Sequence, residues 1–171
     1  DDAHKLHLKE GLTSLKKVLN NTAGKGSGCV LVPTVADKAN PDDVLGITQY
    51  EKGHYFLYHL EKLVAEDNML TFLRQYLKKR EGGNITTKEF VIDFTSFVKT
   101  TFDEAKATEI LSQIDWKTWL YDGGLPPVLH ATHFEGLNKL DAVFEQFRDG
   151  KEVGDLEFVK QSTGLMITLT Q

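Results

Sequence analysis

Through most of this chain the apolar residues recur every three or four positions, which is the spacing of one face of an α-helix. Leu8, Leu12, Leu15 and Leu19 predict an amphipathic helix over residues 3–22. Tyr50, Leu57, Leu60 and Val64 share the face of a second helix, with Tyr50 near its start. Asp67 can cap a third, carrying Leu70, Leu73, Tyr76 and Leu77 on one side. Thr86 and Glu89 form a capping-box pair ahead of Phe90, Phe94, Phe97 and Val98. A short helix ends near Ile114, and Asp115 can cap the turn that holds Trp116 and Trp119. Leu137, Leu140, Phe144 and Phe147 mark a last helix, stopped at Asp149-Gly150. The expected fold class is therefore all-α, an array of about seven helices.

The interruptions are as informative as the helices. Residues 23–28, AGKGSG, end the first helix, and they lack the GK[ST] ending of a phosphate loop. Cys29 to Val35 is a short β-prone run broken by Pro33, expected to be extended or an edge segment. Asn40-Pro41-Asp42-Asp43 is a turn that can start a helix, and Gly82-Gly83 stops one. Gly123-Gly124-Leu125-Pro126-Pro127 is the firmest break in the chain. Leu165, Met166, Ile167 and Leu169 form an apolar tail with no assignable partner.

Composition removes several classes of function. With 171 residues there is room for one domain, or for a domain and a fragment of another. A net charge of -5 argues against a nucleic-acid partner, because phosphate binding needs an excess of Lys and Arg on one face. No apolar run approaches the ~20 residues of a spanning helix, so no membrane partner is expected. Cys29 is the only cysteine, which excludes an intrachain disulfide and a thiolate zinc cluster and suits a reducing, cytoplasmic setting. The opening Asp1-Asp2, without an initiator Met, reads as an internal boundary. Asn20-Asn21-Thr22 and Asn84-Ile85-Thr86 match the glycosylation triplet, a pattern frequent by chance.

Few residues carry chemistry of their own. The six histidines fall in the pairs His4/His7, His54/His59 and His130/His133, and none makes HExxH, in which two imidazoles one helical turn apart grip zinc. His130, His133 and Glu135 would need a particular loop fold to meet at a metal, and a surface loop is the simpler reading. The spacing of His54 and His59 puts them on different faces of a helix. There is no Gly-x-Ser-x-Gly elbow, and Cys29 sits in an apolar run as a small core residue. Asp42 and Asp43 are explained by a turn at a helix N-terminus.

Two strings change that balance. Tyr50-Glu51-Lys52-Gly53 opens a helix, and Ile114-Asp115-Trp116-Lys117-Thr118-Trp119-Leu120-Tyr121 is followed by Gly124-Leu125-Pro126-Pro127, with Ile85-Thr86-Thr87 between them. In this order and spacing the chain resembles the gluzincin zinc aminopeptidases, in the branch of leukotriene A(4) hydrolase and aminopeptidase B. The resemblance is carried by about residues 40–128 and extends over 8–39.

That resemblance implies the C-terminal lobe of a thermolysin-like catalytic domain over residues 1–127. It also implies a linker and the beginning of a helical C-terminal domain over 128–171. The implied parent removes N-terminal residues from peptide substrates with one zinc held by HExxH and a downstream Glu. This chain contains neither that zinc segment nor the family's Gly-rich motif, so no cofactor is expected in it and the isolated chain is expected to be inactive. Its partner would be the remaining catalytic lobe. Tyr50 corresponds to the family's oxyanion-stabilising tyrosine, with its ring packed on the scaffold and its hydroxyl in the cleft. Asp42 is a second candidate, at a position serving polar substrate recognition. Leu45 stands where leukotriene A(4) hydrolase has a second tyrosine, which points to an aminopeptidase rather than an epoxide hydrolase. Gln49 replaces a usual proline, and the stretch between Phe97 and Ile114 is longer than in the family. From position alone Tyr50 reads as a helix-start tyrosine packed on the core. The competing reading of the whole chain is a non-catalytic helical interaction module, or a pseudoenzyme remnant.

Overall fold

The computed structural model describes residues 2–21, 29–38, 40–131 and 135–150. Among them the fold is all-α, with no strand. The helices are α1 (Asp2–Asn21), α2 (Ile47–Val64), α3 (Glu66–Lys79), α4 (Thr87–Thr101), α5 (Glu104–Ser112), α6 (Trp116–Leu120) and α7 (Glu135–Arg148), with a 3-10 turn at Pro41–Asp43. The chain divides into two compact units: Ser14–Leu129, and Asp1–Thr13 together with His130–Gln171.

In the unit from Ser14 to Leu129, helix starts are written in the sequence. Thr86 accepts a hydrogen bond from the Glu89 backbone N–H at 3.3 Å, and Glu89 Oε2 accepts from the Thr86 N–H at 2.8 Å, so the expected capping box is formed. Asp115 accepts from the Thr118 N–H at 3.0 Å and starts the short α6. Asp103 does the same for α5 through the Lys106 N–H at 2.9 Å, a cap the periodicity did not reveal. α3 begins one residue earlier than Asp67. Ala65, at φ 70°, is both the end of α2 and the N-cap of α3, and the Asn68 side-chain amide donates to the Val64 carbonyl at 2.8 Å.

The core of this unit is a run of aromatic rings. Phe72 on α3 meets Phe94 edge-on at 5.1 Å, Phe90 at 5.8 Å and Phe97 at 5.4 Å on α4. Phe94 leads to Trp116 at 6.1 Å, Trp116 to Phe56 on α2 at 5.8 Å, and Phe56 to Trp119 at 5.0 Å. Edge-to-face rings at such separations add about 0.5–1.5 kcal/mol per pair beyond the area they bury. This run corrects the predicted face of α3. Met69 and Phe72 are buried, while Leu70 and Leu77 are exposed. Phe72 turns inward to meet α4, and the leucines follow the rotation outward. Cys29 is buried with Leu15 and Leu19, as a small core residue. The predicted extended run Cys29 to Val35 is instead a series of bends followed by irregular chain.

In the other unit, the first part of α1 buries Leu6 and Leu8, and Lys9 lies 3.8 Å from Asp141 of α7. α7 ends in a turn at Asp149-Gly150, with Gly150 at φ 70°. The glycine-rich stretch 23–28, His133 and the apolar tail from 164 onward lie outside the described residues.

α3 and α4 are also joined by charge. Asp93, nearly buried on α4, accepts from Lys79 Nζ at 2.6 Å and from Arg80 Nε at 2.9 Å, and Arg80 also reaches Glu89 at 2.6 Å. The Lys79 hydrogen bond, followed by that of Arg80, holds the Asp93 carboxyl below its ordinary value. A depressed carboxylate contributes stability that is complete above the unfolded value of about 3.9 and is lost as pH falls through the folded one. Asp93→Ala should therefore destabilise the chain by about 2 kcal/mol at neutral pH. In urea melts, the difference from the unsubstituted chain should shrink as pH drops below about 4; a difference that stays constant to acid pH would show that the ion pairs contribute nothing.

Candidate functional site

α2 presents two faces of different character. Thr48, Lys52, Tyr55, Phe56, His59, Leu60 and Val64 are buried. Gln49, Tyr50, Gly53, His54 and Leu57 follow one another along the opposite side and form one wall of an open groove of about 670 Å³. Phe56 of the buried face also reaches the groove, and Leu31, Val32, Leu120, Tyr76, Ile85, Thr86, Thr87 and Phe90 complete its lining. The predicted grouping of Tyr50 and Leu57 with Leu60 and Val64 is thus split. Leu60 and Val64 enter the core, while Tyr50 (77% exposed) and Leu57 (40% exposed) face the groove. The reason is that Phe56 and His59 supply the flat surfaces that pack on Trp119, and they turn the other side of the helix outward.

Tyr50 lies in the first turn of α2, after Gly46 as N-cap. Its ring is neither packed on the core nor enclosed by the scaffold, contrary to both sequence expectations. Leu45 is exposed just ahead of the helix. Asp42 is exposed on the 3-10 turn, where its backbone N–H donates to Asn40 Oδ1 at 3.2 Å, and it is not among the groove-lining residues. The structure therefore places Tyr50 on the groove and leaves Asp42 apart from it. His54 lies one turn after Tyr50 on the same wall, while His59 stacks on Trp119 at 5.2 Å inside the core.

The groove is framed by hydrogen bonds from α2. Gln49 Oε1 accepts from the Gly46 N–H at 2.7 Å, and Gln49 Nε2 donates to the Val30 carbonyl at 2.7 Å. Val32 N–H donates to the Leu120 carbonyl at 2.8 Å. Lys52, fully buried, sends its ammonium to the Asp122 carbonyl at 2.7 Å. The Asp122 carboxylate is in turn held by Lys117 at 2.7 Å and by Thr118 Oγ1 at 3.2 Å. Burial lowers the Lys52 ammonium from its ordinary value, against the opposing pull of Asp122. Burial likewise raises the phenol of Tyr76. The Lys117 hydrogen bond keeps the Asp122 carboxyl low. A Cβ at Gly53 would stand 3.4 Å from Leu31 Cδ1, so a side chain there would begin to fill the groove.

Residues 8–119 match the family described as Peptidase family M1 domain. The chain belongs to peptidase family M1. It is 39% identical over 88 residues to leucine aminopeptidase 2 of Aspergillus terreus, a match that covers 52% of this chain and 14% of that protein. It is 32% identical over 130 residues to leucine aminopeptidase 2 of Eremothecium gossypii, covering 75% of this chain and 20% of that protein. Native leukotriene A4 hydrolase from Saccharomyces cerevisiae superposes over 99% of this chain and 28% of its own, with a TM-score of 0.76 at 22% identity. That likeness shows the shared fold. The M1 chain here thus spans a fifth or less of the length of these curated relatives.

Family M1 implies zinc, and the described residues of this chain do not offer a ligand set for it. Among the described residues no three His, Cys, Asp or Glu side chains could hold a metal ion, and the sequence has no HExxH. The His130, His133 and Glu135 combination falls partly outside the described residues.

In the sequence Gln49 stands out only as a departure from proline, Lys52 only as a letter of the Tyr50 string, and His54 only for its spacing from His59, so none of the three reads as a site residue there. A lysine is almost never fully buried unless it has a partner, but burial is not visible in a linear string.

The buried Lys52 gives a signed prediction. Its folded value is lowered, so the unfolded chain binds more protons between that value and about 10.4, and stability conferred at this site rises with pH across that window. Lys52→Met keeps most of the stem and removes the charge. The stability of the unsubstituted chain relative to Lys52→Met should increase as pH is raised through that window. A flat difference in denaturant melts would show that the ammonium is not desolvated.

Proposed function

We propose that this chain is part of a zinc-dependent aminopeptidase that hydrolyses N-terminal residues from peptides, and that Tyr50 supplies the hydrogen bond that stabilises the oxyanion. The observation that carries the reading is the position of Tyr50: a phenol on the first turn of a helix fixed from beneath, exposed on the wall of a groove, and not engaged in the core. Attack on a peptide carbonyl develops negative charge on its oxygen. A donor aimed at that oxygen lowers the barrier because it gains strength only as the charge appears. The family and its aminopeptidase relatives support peptide substrates and zinc. Zinc is assigned to the remaining catalytic lobe of the parent enzyme, the partner against which this helical lobe would close. The apolar lining from Leu31, Leu57, Ile85 and Phe90 suits an apolar part of a peptide.

Within the same proposal, residues 1–127 form the C-terminal portion of the catalytic domain, and 128–171 the linker and start of a helical C-terminal domain. Gly124, at φ 103°, sits in the break between them. Asp42, exposed on the turn before α2, remains a candidate for polar recognition of substrate. The cytoplasm is the proposed location, on the strength of a sequence with Cys29 as its one cysteine, which suits a reducing compartment. No helix among the described residues is long and apolar enough to cross a membrane.

Tyr50→Phe keeps the ring and removes only the hydroxyl. In the full-length peptidase kcat should fall by roughly 10²–10³, the usual cost of one oxyanion donor. KM should change little, since the ground state does not use that charge, and zinc content should be unchanged. Because the side chain is exposed, the melting transition should not move, so lost turnover cannot be assigned to unfolding. Near-normal kcat for Tyr50→Phe would remove Tyr50 from the chemistry.

A further inference from the structure

The hydrogen bonds around the groove form a ring that leaves α2 at one residue and returns to it three positions on. Gln49 Nε2 reaches the Val30 carbonyl, and Val32 in that same segment reaches the Leu120 carbonyl. Two residues beyond Leu120, the Asp122 carbonyl takes the Lys52 ammonium, which leads back to α2. The two anchors on the helix, Gln49 and Lys52, stand on either side of Tyr50 in the chain. We infer that Gln49 is a positioning residue for Tyr50, its single amide fixing the direction in which the first turn of α2 presents the phenol; the inference rests on the oxyanion reading of that phenol.

Tyr50 is 77% exposed, so packing of its own ring does little to fix its direction. Its aim then depends on the backbone beneath it, at the first turn of a helix, where helices fray. Gln49 stiffens that turn in two ways. Its Oε1 occupies the Gly46 N–H, which has no helical partner at the N-cap. Its Nε2 binds the turn to the segment that carries Leu31 and Val32, which also line the groove. One side chain therefore sets the phenol relative to the neighbouring lining. Lys52 anchors the following turn, and Thr48, buried in the first turn, makes no hydrogen bond with its hydroxyl among the described residues, so neither ties the entry of the helix to the segment of Leu31 and Val32 as Gln49 does. An aim displaced by about 1 Å costs on the order of 10²-fold in rate, so partial loosening is expected to cost about tenfold.

The test is a double-mutant cycle in the full-length peptidase, made of Gln49→Met, Tyr50→Phe and the pair. Gln49→Met should lower kcat about tenfold with KM unchanged, and should have less than about a twofold effect once Tyr50 is Phe, because there is no hydroxyl left to aim. Equal losses in the two backgrounds, or normal kcat in Gln49→Met, would overturn the inference while leaving the Tyr50 reading intact. Normal kcat in Tyr50→Phe would remove both. A readout independent of activity is taken on the same full-length peptidase. Amide hydrogen exchange at Gly46 and Val32 should speed up in Gln49→Met, while α3 and α4 keep their protection. Gln49→Glu retains the acceptor for Gly46 and should speed only Val32. Unchanged exchange at Val32 in both variants would show that Gln49 does not tie the two segments together, and would end the proposal.

Discussion

The burial of Trp119 between Phe56 and His59 holds together the parts of this chain that frame the groove. α6 is only five residues long, too short to persist on its own, because a helix nucleus costs more than one turn of hydrogen bonds returns. The Asp115 cap starts it, and the indole, with no exposed surface, fixes it against α2. Burying an aromatic side chain of this kind is worth about 3 kcal/mol. Once α6 is fixed, Leu120 and Asp122 come within reach of Val32 and Lys52, and the groove acquires its frame. Two strings some sixty residues apart in the sequence thus belong to one structural unit because of the packing of two rings on one indole.

The unit treats its two buried charges in opposite ways. Asp93 is met by two cations, which hold its charge in place and join α3 to α4. Lys52 is met, among the contacts described above, by a carbonyl oxygen, and burial works against its charge. A buried ion with partial compensation contributes little net stability. What Lys52 does supply is geometry: a fixed length between α2 and the chain after α6, on the side away from the groove. The carboxylate of Asp122, gripped by Lys117 and Thr118, keeps the accepting carbonyl from moving away. Rigidity is thus concentrated behind the first turns of α2, and the exposed phenol stands on that support.

How much of this could be read in advance depends on the distance over which each feature is decided. Helix existence and capping are local, and Leu8, Leu15 and Leu19 on α1, the Thr86–Glu89 box and the Asp115 cap all stand as the residues predict. The rotation of each helix about its axis is not local. Tyr50 and Leu57 fit the apolar stripe of α2, and Leu70 and Leu77 that of α3, yet all four are exposed. The aromatic rings chose the inward face, since Phe56, His59 and Phe72 have partners across the core that the leucines lack.

The candidate site divides along the same line. The order of the Tyr50 string, the Ile85-Thr86-Thr87 triplet and the Trp116–Pro127 string is a property of the chain, and it carries the resemblance to the gluzincin aminopeptidases by itself. Apolar periodicity and cap chemistry likewise dictated an all-α fold, because they act between residues three or four positions apart along the chain. That Tyr50 faces open space, that Asp42 stands away from the groove, and that Gln49 and Lys52 close a ring through Val30 and Asp122 were settled by contacts between residues 19 and 70 positions apart. No periodicity encodes such contacts: they exist only after the indole of Trp119 has been buried and the backbone around it has stopped moving.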